Sequence, residues 1–466
     1  MADAPPSEKL RQYLLELKPQ ARDLLASELE RAALRGEAPP GASVILEQLR
    51  KTARQEGRRL PRIGNAQRLF FAAVEPFLVD DVPERKHLGR IARASLDRIW
   101  TWICRDLMLR EARTYIDHVQ LLLAADERNG AHQVARAFQD FVEQRLRECL
   151  ASIKRNEKES KRIAGQIGTP HAIEEIRELA AILRARDALG VIGSRLPGSI
   201  SNLAGEQLQN VWGLLDSPIG RHRDVFLYAL LVVMSRLGSP WQLIRLAVHA
   251  AVSDRADHIA ATPVAIAVDV VLGDLDRIVT NLRAALKIAE SDEAGRLLKD
   301  FHDAARALHT EIELPAESTW GRQLAGARAE AANLLEGEIR DLPAHVRRLL
   351  RPRNGREAIT PLDSIDVDDV GVRLAVLAEC RNYADELAVS EVTLRVHSEL
   401  QSYFDNGTQI LLERLRVSPP AELALRQSQV DAAVRFSAKL FGANYAGLLA
   451  RAADIAVKDE QKSARI

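Results

Sequence analysis

Val264, Val268, Val271, Leu275, Ile278, Leu282 and Leu286 recur in steps of 4, 3, 4, 3, 4 and 4. That spacing follows the 3.6-residue turn and draws one apolar seam down a helix of about seven turns. Asp269, Asp276 and Arg283 fall off the seam. A seam of this length is stable only when another element covers it, so it commits the region to a helical assembly. A second pattern follows at Leu298, Phe301, Ala305, Leu308 and Ile312, and a third at Leu324, Ala331, Leu335, Ile339 and Leu342. Short connections predict that the three pack as antiparallel neighbours. Gly273 costs its helix about 1 kcal/mol of propensity relative to alanine, which predicts a close helix approach or a kink there.

The same period appears elsewhere. Val134, Phe138, Phe141, Val142, Leu146, Cys149 and Ile153 form a stripe that runs into the charged tract Lys154–Arg162, read as a solvated helix end or a mobile segment. A helix is predicted from His87 to Met108. Val392, Val396, Leu400, Tyr403, Leu411 and Leu415 keep helical spacing, with Asn406-Gly407 predicted to break the run. No series of alternating five-residue strands with hairpin turns is present. The expected fold class is therefore all-α: a multi-helix bundle or an irregular extended helical array built from long amphipathic antiparallel helices.

At 466 residues the chain exceeds the usual single domain. Its 47% hydrophobic and 28% charged residues supply a core and solubility, which argues against wholesale disorder. Proline and glycine punctuation divides it into regions 1–64, 65–192, 193–350 and 362–466, the strongest break being Arg351–Pro361. No repeat recurs at a fixed period, which disfavours a regular solenoid.

Sixty-five basic residues balance 65 acidic ones, so no global field draws the chain to nucleic acid or an anionic membrane. Two local tracts are basic. Arg54, Arg58, Arg59 and Arg62 fall in the first, and Arg351, Arg353 and Arg356 in the second. They are the candidate contacts for an anionic partner, against the plainer reading of a solvated linker making local ion pairs. Aromatic residues total 5% and do not interleave with these arginines as in a single-strand binding platform.

Cys104, Cys149 and Cys380 lie far apart, without metal-ligand spacing, and fit a reducing compartment. The N-terminus does not read as a secretory signal. The longest apolar run, Val225–Met234, is read as a buried core helix because it falls short of the roughly 20 residues a membrane span needs. A cytoplasmic location is expected.

Motifs that depend on local spacing are missing: no GxxxxGK, no GxSxG and no HExxH. Glu84 and His87 form a single Glu-x-x-His pair where a di-metal bundle needs two, and surface or helix-capping roles are expected for them. His302-Asp303 is the one His-Asp doublet, with His249, His258 and Asp366 as conceivable helpers; the plainer expectation is a solvated helix face. Asp363–Asp369 lacks the central glycine and closing glutamate of a calcium loop and is read as helix-capping. No catalytic residue, metal ligand or cofactor is assigned. The tryptophans, Trp100 and Trp102 among them, are read as core filling with partnered indole N–H groups.

The leading functional expectation is a non-catalytic helical scaffold or interaction protein that binds a partner or itself through amphipathic helix faces. Its rivals are an enzyme whose pocket is assembled from separated helices, and a regulatory module contacting nucleic acid or a membrane through the arginine tracts.

Overall fold

The computed structural model describes residues 14, 17–34, 37–55, 64–80, 82, 84–287, 291–351, 360–387 and 389–463. The chain is helical almost throughout. The helices are α1 Pro19–Leu34, α2 Ala42–Gln55, α3 Ala66–Phe71, α4 Leu96–Trp102, α5 Leu109–Ala124, α6 Arg128–Ile153, α7 Glu157–Ile167, α8 Ala172–Arg195, α9 Gly205–Leu215 and α10 Arg223–Met234. They continue as α11 Ile244–Ala251, α12 Ala256–Ala260, α13 Ile266–Lys287, α14 Ser291–Thr310, α15 Thr319–Arg340, α16 Leu342–Leu350, α17 Ser364–Leu387, α18 Ser390–Arg416, α19 Leu423–Phe441 and α20 Ala443–Ser463. Among the described residues the one sheet is a two-residue parallel pairing of β1 Leu78–Val79 with β2 Ile91–Ala92. Val225–Met234 is the body of α10, and no helix among the described residues is long and apolar enough to cross a membrane.

The chain divides into two compact units, 1–196 with 214–232, and 197–213 with 233–466. In the first, α5 packs on α6, α6 on α8, and α1 on α2 and α5. An aromatic cluster fills its centre. Tyr115 and Phe138 stack with centroids 4.3 Å apart; Trp100 meets both edge-on and Phe70 packs tilted on Phe138, while Phe71 meets Phe70 and Trp100 edge-on. The Tyr115 hydroxyl donates to the Ala66 carbonyl (2.7 Å), so the one polar atom of the stack is satisfied.

The loop joining β1 to β2 is held by carboxylates from α8. Glu175, buried, accepts the Ala92 N–H (2.9 Å) and the Thr169 hydroxyl (3.2 Å). Glu178 accepts the Gly89 N–H (3.2 Å) and the Tyr228 hydroxyl (2.6 Å), with the Lys86 ammonium 3.7 Å away. Lys86 also donates to the carbonyls of His87 and Arg90, and burial lowers its pKa against the opposing pull of Glu178. Gly89 has φ +69 and packs on α10, where an added Cβ would collide with Leu231.

Three expectations for this unit are corrected. His87 is buried rather than on the surface. The helix predicted from His87 to Met108 is the short α4, entered from β2 through a 3-10 turn and continued by a single π turn, Ile103–Leu107. The carboxylate-anchored loop and β2 occupy what would have been its first turns. Phe141 is exposed, and the buried line of α6 runs through Ala131, Ala135, Phe138, Val142 and Leu146. The charged tract is split by Asn156, whose side chain accepts the N–H groups of Lys158 and Glu159 and starts α7.

The second unit contains the long seam. Val264 through Leu282 are buried as expected, as are the stripes on α14 and α15. α13 packs on α14 and α15, and α17 packs on the same two helices, which closes a four-helix bundle. α17 also packs on α18 and α19, and α20 covers those two. α17 is therefore shared between two layers and buries a wide face. At 100° per residue, Val367, Val370, Leu374 and Leu377 centre about 120° around the helix from Val376, Cys380 and Leu387, and all seven are buried.

The close helix approach expected at Gly273 and the break expected at Asn406-Gly407 do not hold. A Cβ at Gly273 would meet nothing within 4 Å, so no neighbouring helix approaches closely at that point. α18 runs unbroken through Asn406-Gly407, where the Asn406 amide donates back to the Ser402 carbonyl (2.8 Å) and the Thr408 hydroxyl to Phe404 O (2.8 Å). A glycine of this unit that tolerates no side chain is Gly321, in the first turn of α15. Its N–H donates to the Ser318 cap (2.9 Å), and a Cβ would overlap the Pro315 and Ala316 carbonyls. Gly321→Ala is expected to lower stability by about 1–3 kcal/mol. Gly326→Ala on the same helix, where a Cβ meets nothing within 4 Å, is expected to raise it by up to about 1 kcal/mol. Urea midpoints of the two variants would distinguish them; equal midpoints would contradict this reading of the α15 start.

Candidate functional site

The arginine tracts are placed only in part. Arg54 lies in the last turn of α2, while Arg58, Arg59, Arg62, Arg353 and Arg356 lie outside the described residues. Arg351 is exposed just beyond α16, and its carbonyl accepts the Gln429 amide (2.8 Å). Gln429, fully buried, also donates to Leu349 O (3.1 Å), while the neighbouring Ser428 hydroxyl accepts the Leu362 N–H (3.1 Å). Two adjacent residues of α19 thus fasten both flanks of segment 352–359. Within the same tracts Arg50 pairs with Glu30 (2.5 Å), and Arg347 pairs with Glu399 (2.6 Å) while lying over the Tyr403 ring.

Several of the other sequence candidates make structural contacts. His302 packs its ring 5.0 Å from Tyr383, and Asp303 pairs with Lys299 (2.5 Å). Asp363 accepts the Ile365 N–H (2.9 Å) at the start of α17, the capping role expected of it. Burial pushes the Cys104 thiol up to about 11 and Cys380 to about 12, which holds both in the unreactive protonated form at neutral pH. No group of three metal-capable side chains converges among the described residues.

Two features have binding geometry. The first is an outward stripe on α20: Asn444, Leu448, Arg451 and Ile455, spaced 4-3-4, with Leu448 63% and Ile455 55% exposed. The neighbouring α18 has its counterpart in Asn406, Ile410, Glu413 and, at its end, Val417, with Ile410 50% and Val417 81% exposed. Each stripe repeats an apolar residue after seven positions, with a polar or charged residue between. Glu413 and Arg451 hold the same place in the two stripes with opposite charge. The spacing was available in the sequence. What the sequence hides is that these residues face outward, because Leu411, Leu415 and Leu449 offer an equally apolar line that is the buried one.

The second is a recess of about 290 Å³ in the first unit, between the start of α3's continuation and helices α6 and α8. Leu69, Ala72, Ala73 and Ala135 form its apolar wall. His132, Arg136, Gln139, Arg186 and Asp187 supply the polar side. A ladder of ion pairs runs along the α6–α8 seam beside it: Arg136–Asp187 (2.5 Å), Asp140–Arg186 (2.6 Å) and Glu143–Arg184 (2.9 Å). Nothing in the sequence brings α6 and α8 together at this place, so no local motif could have announced the recess.

No protein-family model, curated protein or solved structure matches the chain.

Proposed function

We propose that the protein is a non-catalytic helical interaction protein of the cytoplasm, which pairs with a second copy of itself through the outer stripes of α18 and α20. The observation that carries this reading is the pair of exposed seams at 4-3-4 spacing on two helices that pack on each other. Large aliphatic side chains left in water at heptad positions gain by burial, about 25 cal/mol for each Å² covered. The opposite charges of Glu413 and Arg451 suit a contact in which the α18 stripe of one copy meets the α20 stripe of the other, as a two-fold, self-complementary interface requires. The protonated thiols and the engagement of Asp303 by Lys299 support a binding role over chemistry.

The test is a photocrosslinking residue at position 448, with position 177, on the exposed face of α8, as control. Crosslinked dimer from 448 and none from 177 is the expected result. Adducts confined to a different protein would replace self-pairing with partner binding, and no adduct from 448 would overturn the reading.

A further inference from the structure

We propose that Asn129 is a site of covalent self-modification: in the folded protein it loses ammonia through a cyclic imide with Gly130 and becomes aspartate or isoaspartate. An Asn-Gly pair is open to this reaction because the attacking nitrogen belongs to a residue with no side chain to obstruct it. Two such pairs lie among the described residues, Asn129-Gly130 in the first turn of α6 and Asn406-Gly407 in the middle of α18. Both asparagines are exposed. Their backbones and amides are held differently, and that difference selects one of them.

The reaction needs a free attacking nitrogen, a free side-chain amide, and a main chain that can leave helical geometry so that the nitrogen reaches Cγ. Asn129 meets all three conditions. The Gly130 N–H donates to no acceptor among the described residues: the first N–H groups of a helix have no partner inside it, and no side chain caps this one. The Asn129 amide makes no hydrogen bond among the described residues. The first turn of α6 can unwind while the rest of the helix stays formed, and Asp126 just upstream already leaves helical geometry with φ +60. At Asn406 each condition fails. Its amide donates to the Ser402 carbonyl (2.8 Å), and Gly407 N–H belongs to the helical ladder, with whole turns of α18 on either side. Opening there creates two new helix ends, which is costlier than fraying one.

In the reaction, the Gly130 nitrogen gives its proton to hydroxide and bonds to Asn129 Cγ. The Cγ–Nδ2 bond breaks, and Nδ2 leaves as ammonia with a proton from water. Water then opens the five-membered imide. Cleavage of the new N–Cγ bond gives aspartate, and cleavage of the original peptide bond gives isoaspartate. Asparagine and water have become the acid and ammonia, with nothing oxidised or reduced. α6 has no acidic residue in its first turn, so aspartate at 129 places a carboxylate at the positive end of the helix, where it is favoured. Isoaspartate lengthens the main chain by one carbon and does not fit that turn.

The test is incubation of the folded full-length protein at mildly alkaline pH, with peptide mapping by mass spectrometry over time. The third Asn-Gly pair, Asn354-Gly355, lies outside the described residues and falls in a separate peptide. Conversion at Asn129 is expected to outpace conversion at Asn406 by about tenfold or more, the factor for a local-opening difference of about 1.4 kcal/mol. In concentrated urea the two sites are expected to converge, since only the fold distinguishes them. Gly130→Ala, whose added methyl meets first the end of the Leu122 side chain (3.3 Å), is expected to suppress conversion at 129 and leave Asn406 unchanged. Equal rates at the two sites in the folded protein, no conversion at Asn129 while it stays folded, or undiminished conversion in Gly130→Ala would each overturn the assignment.

Discussion

Glu178→Ala is expected to destabilise the first unit by about 3–5 kcal/mol, the range for removing one member of a buried ion pair. The carboxylate is the common acceptor for Gly89 N–H, the Tyr228 hydroxyl and the Lys86 ammonium, and it anchors the loop between β1 and β2 to α8. Its removal leaves a buried ammonium that retains the carbonyls of His87 and Arg90 but loses its nearest counter-charge. Tyr228→Phe removes a single hydrogen bond and is expected to cost about 1 kcal/mol.

The pH dependence separates the electrostatic part. Lys86 already titrates below its ordinary 10.5, and loss of Glu178 lowers it further. Between the folded value and 10.5 the unfolded chain binds more protons than the folded one, so the stability of the variant rises with pH across that window relative to the parent protein. A urea-midpoint series from neutral to alkaline pH reads both effects. A loss below about 1 kcal/mol, or a defect that grows with pH, would contradict this account of the clamp.

Truncation on both faces of α17 is expected to be costly. Leu374→Ala and Leu387→Ala lie about 140° apart around the helix, both fully buried, and each is expected to lose about 2–5 kcal/mol. An ordinary amphipathic surface helix would show that cost on one face only. Ile365→Ala, at an exposed position of the same helix, is expected to stay within about 0.5 kcal/mol of the parent protein. If either buried leucine proves as tolerant as Ile365, α17 is not the helix shared by two layers.

These two elements also mark where sequence reading works and where it stops. α13, α14 and α15 were legible because each has one apolar stripe and a polar remainder, so the 3.6-residue period stands out. α17 was not, because a helix covered on two sides is apolar on both and has little periodic contrast; its aspartate-rich start was the visible sign. The His87–Met108 helix failed for a different reason. Its first turns are overridden by Glu175 and Glu178, which lie more than 80 positions away and offer the backbone acceptors that a local pattern cannot foresee. Asn406-Gly407 misled because turn chemistry is only a tendency, and α18 is held by packing on α17, α19 and α20. Of the candidate sites, the outward stripes were present in the spacing but indistinguishable from core. The recess depends on residues from three separated segments.

Sedimentation velocity over a wide range of protein concentration tests the proposed self-pairing most directly, with the parent protein beside a Leu448→Asp, Ile455→Asp double variant. Self-pairing through the outer stripes predicts a monomer–dimer equilibrium for the parent and a monomer at every concentration for the variant, with unchanged helical content. A parent protein that stays monomeric throughout, or a dimer that survives both aspartates, would contradict it.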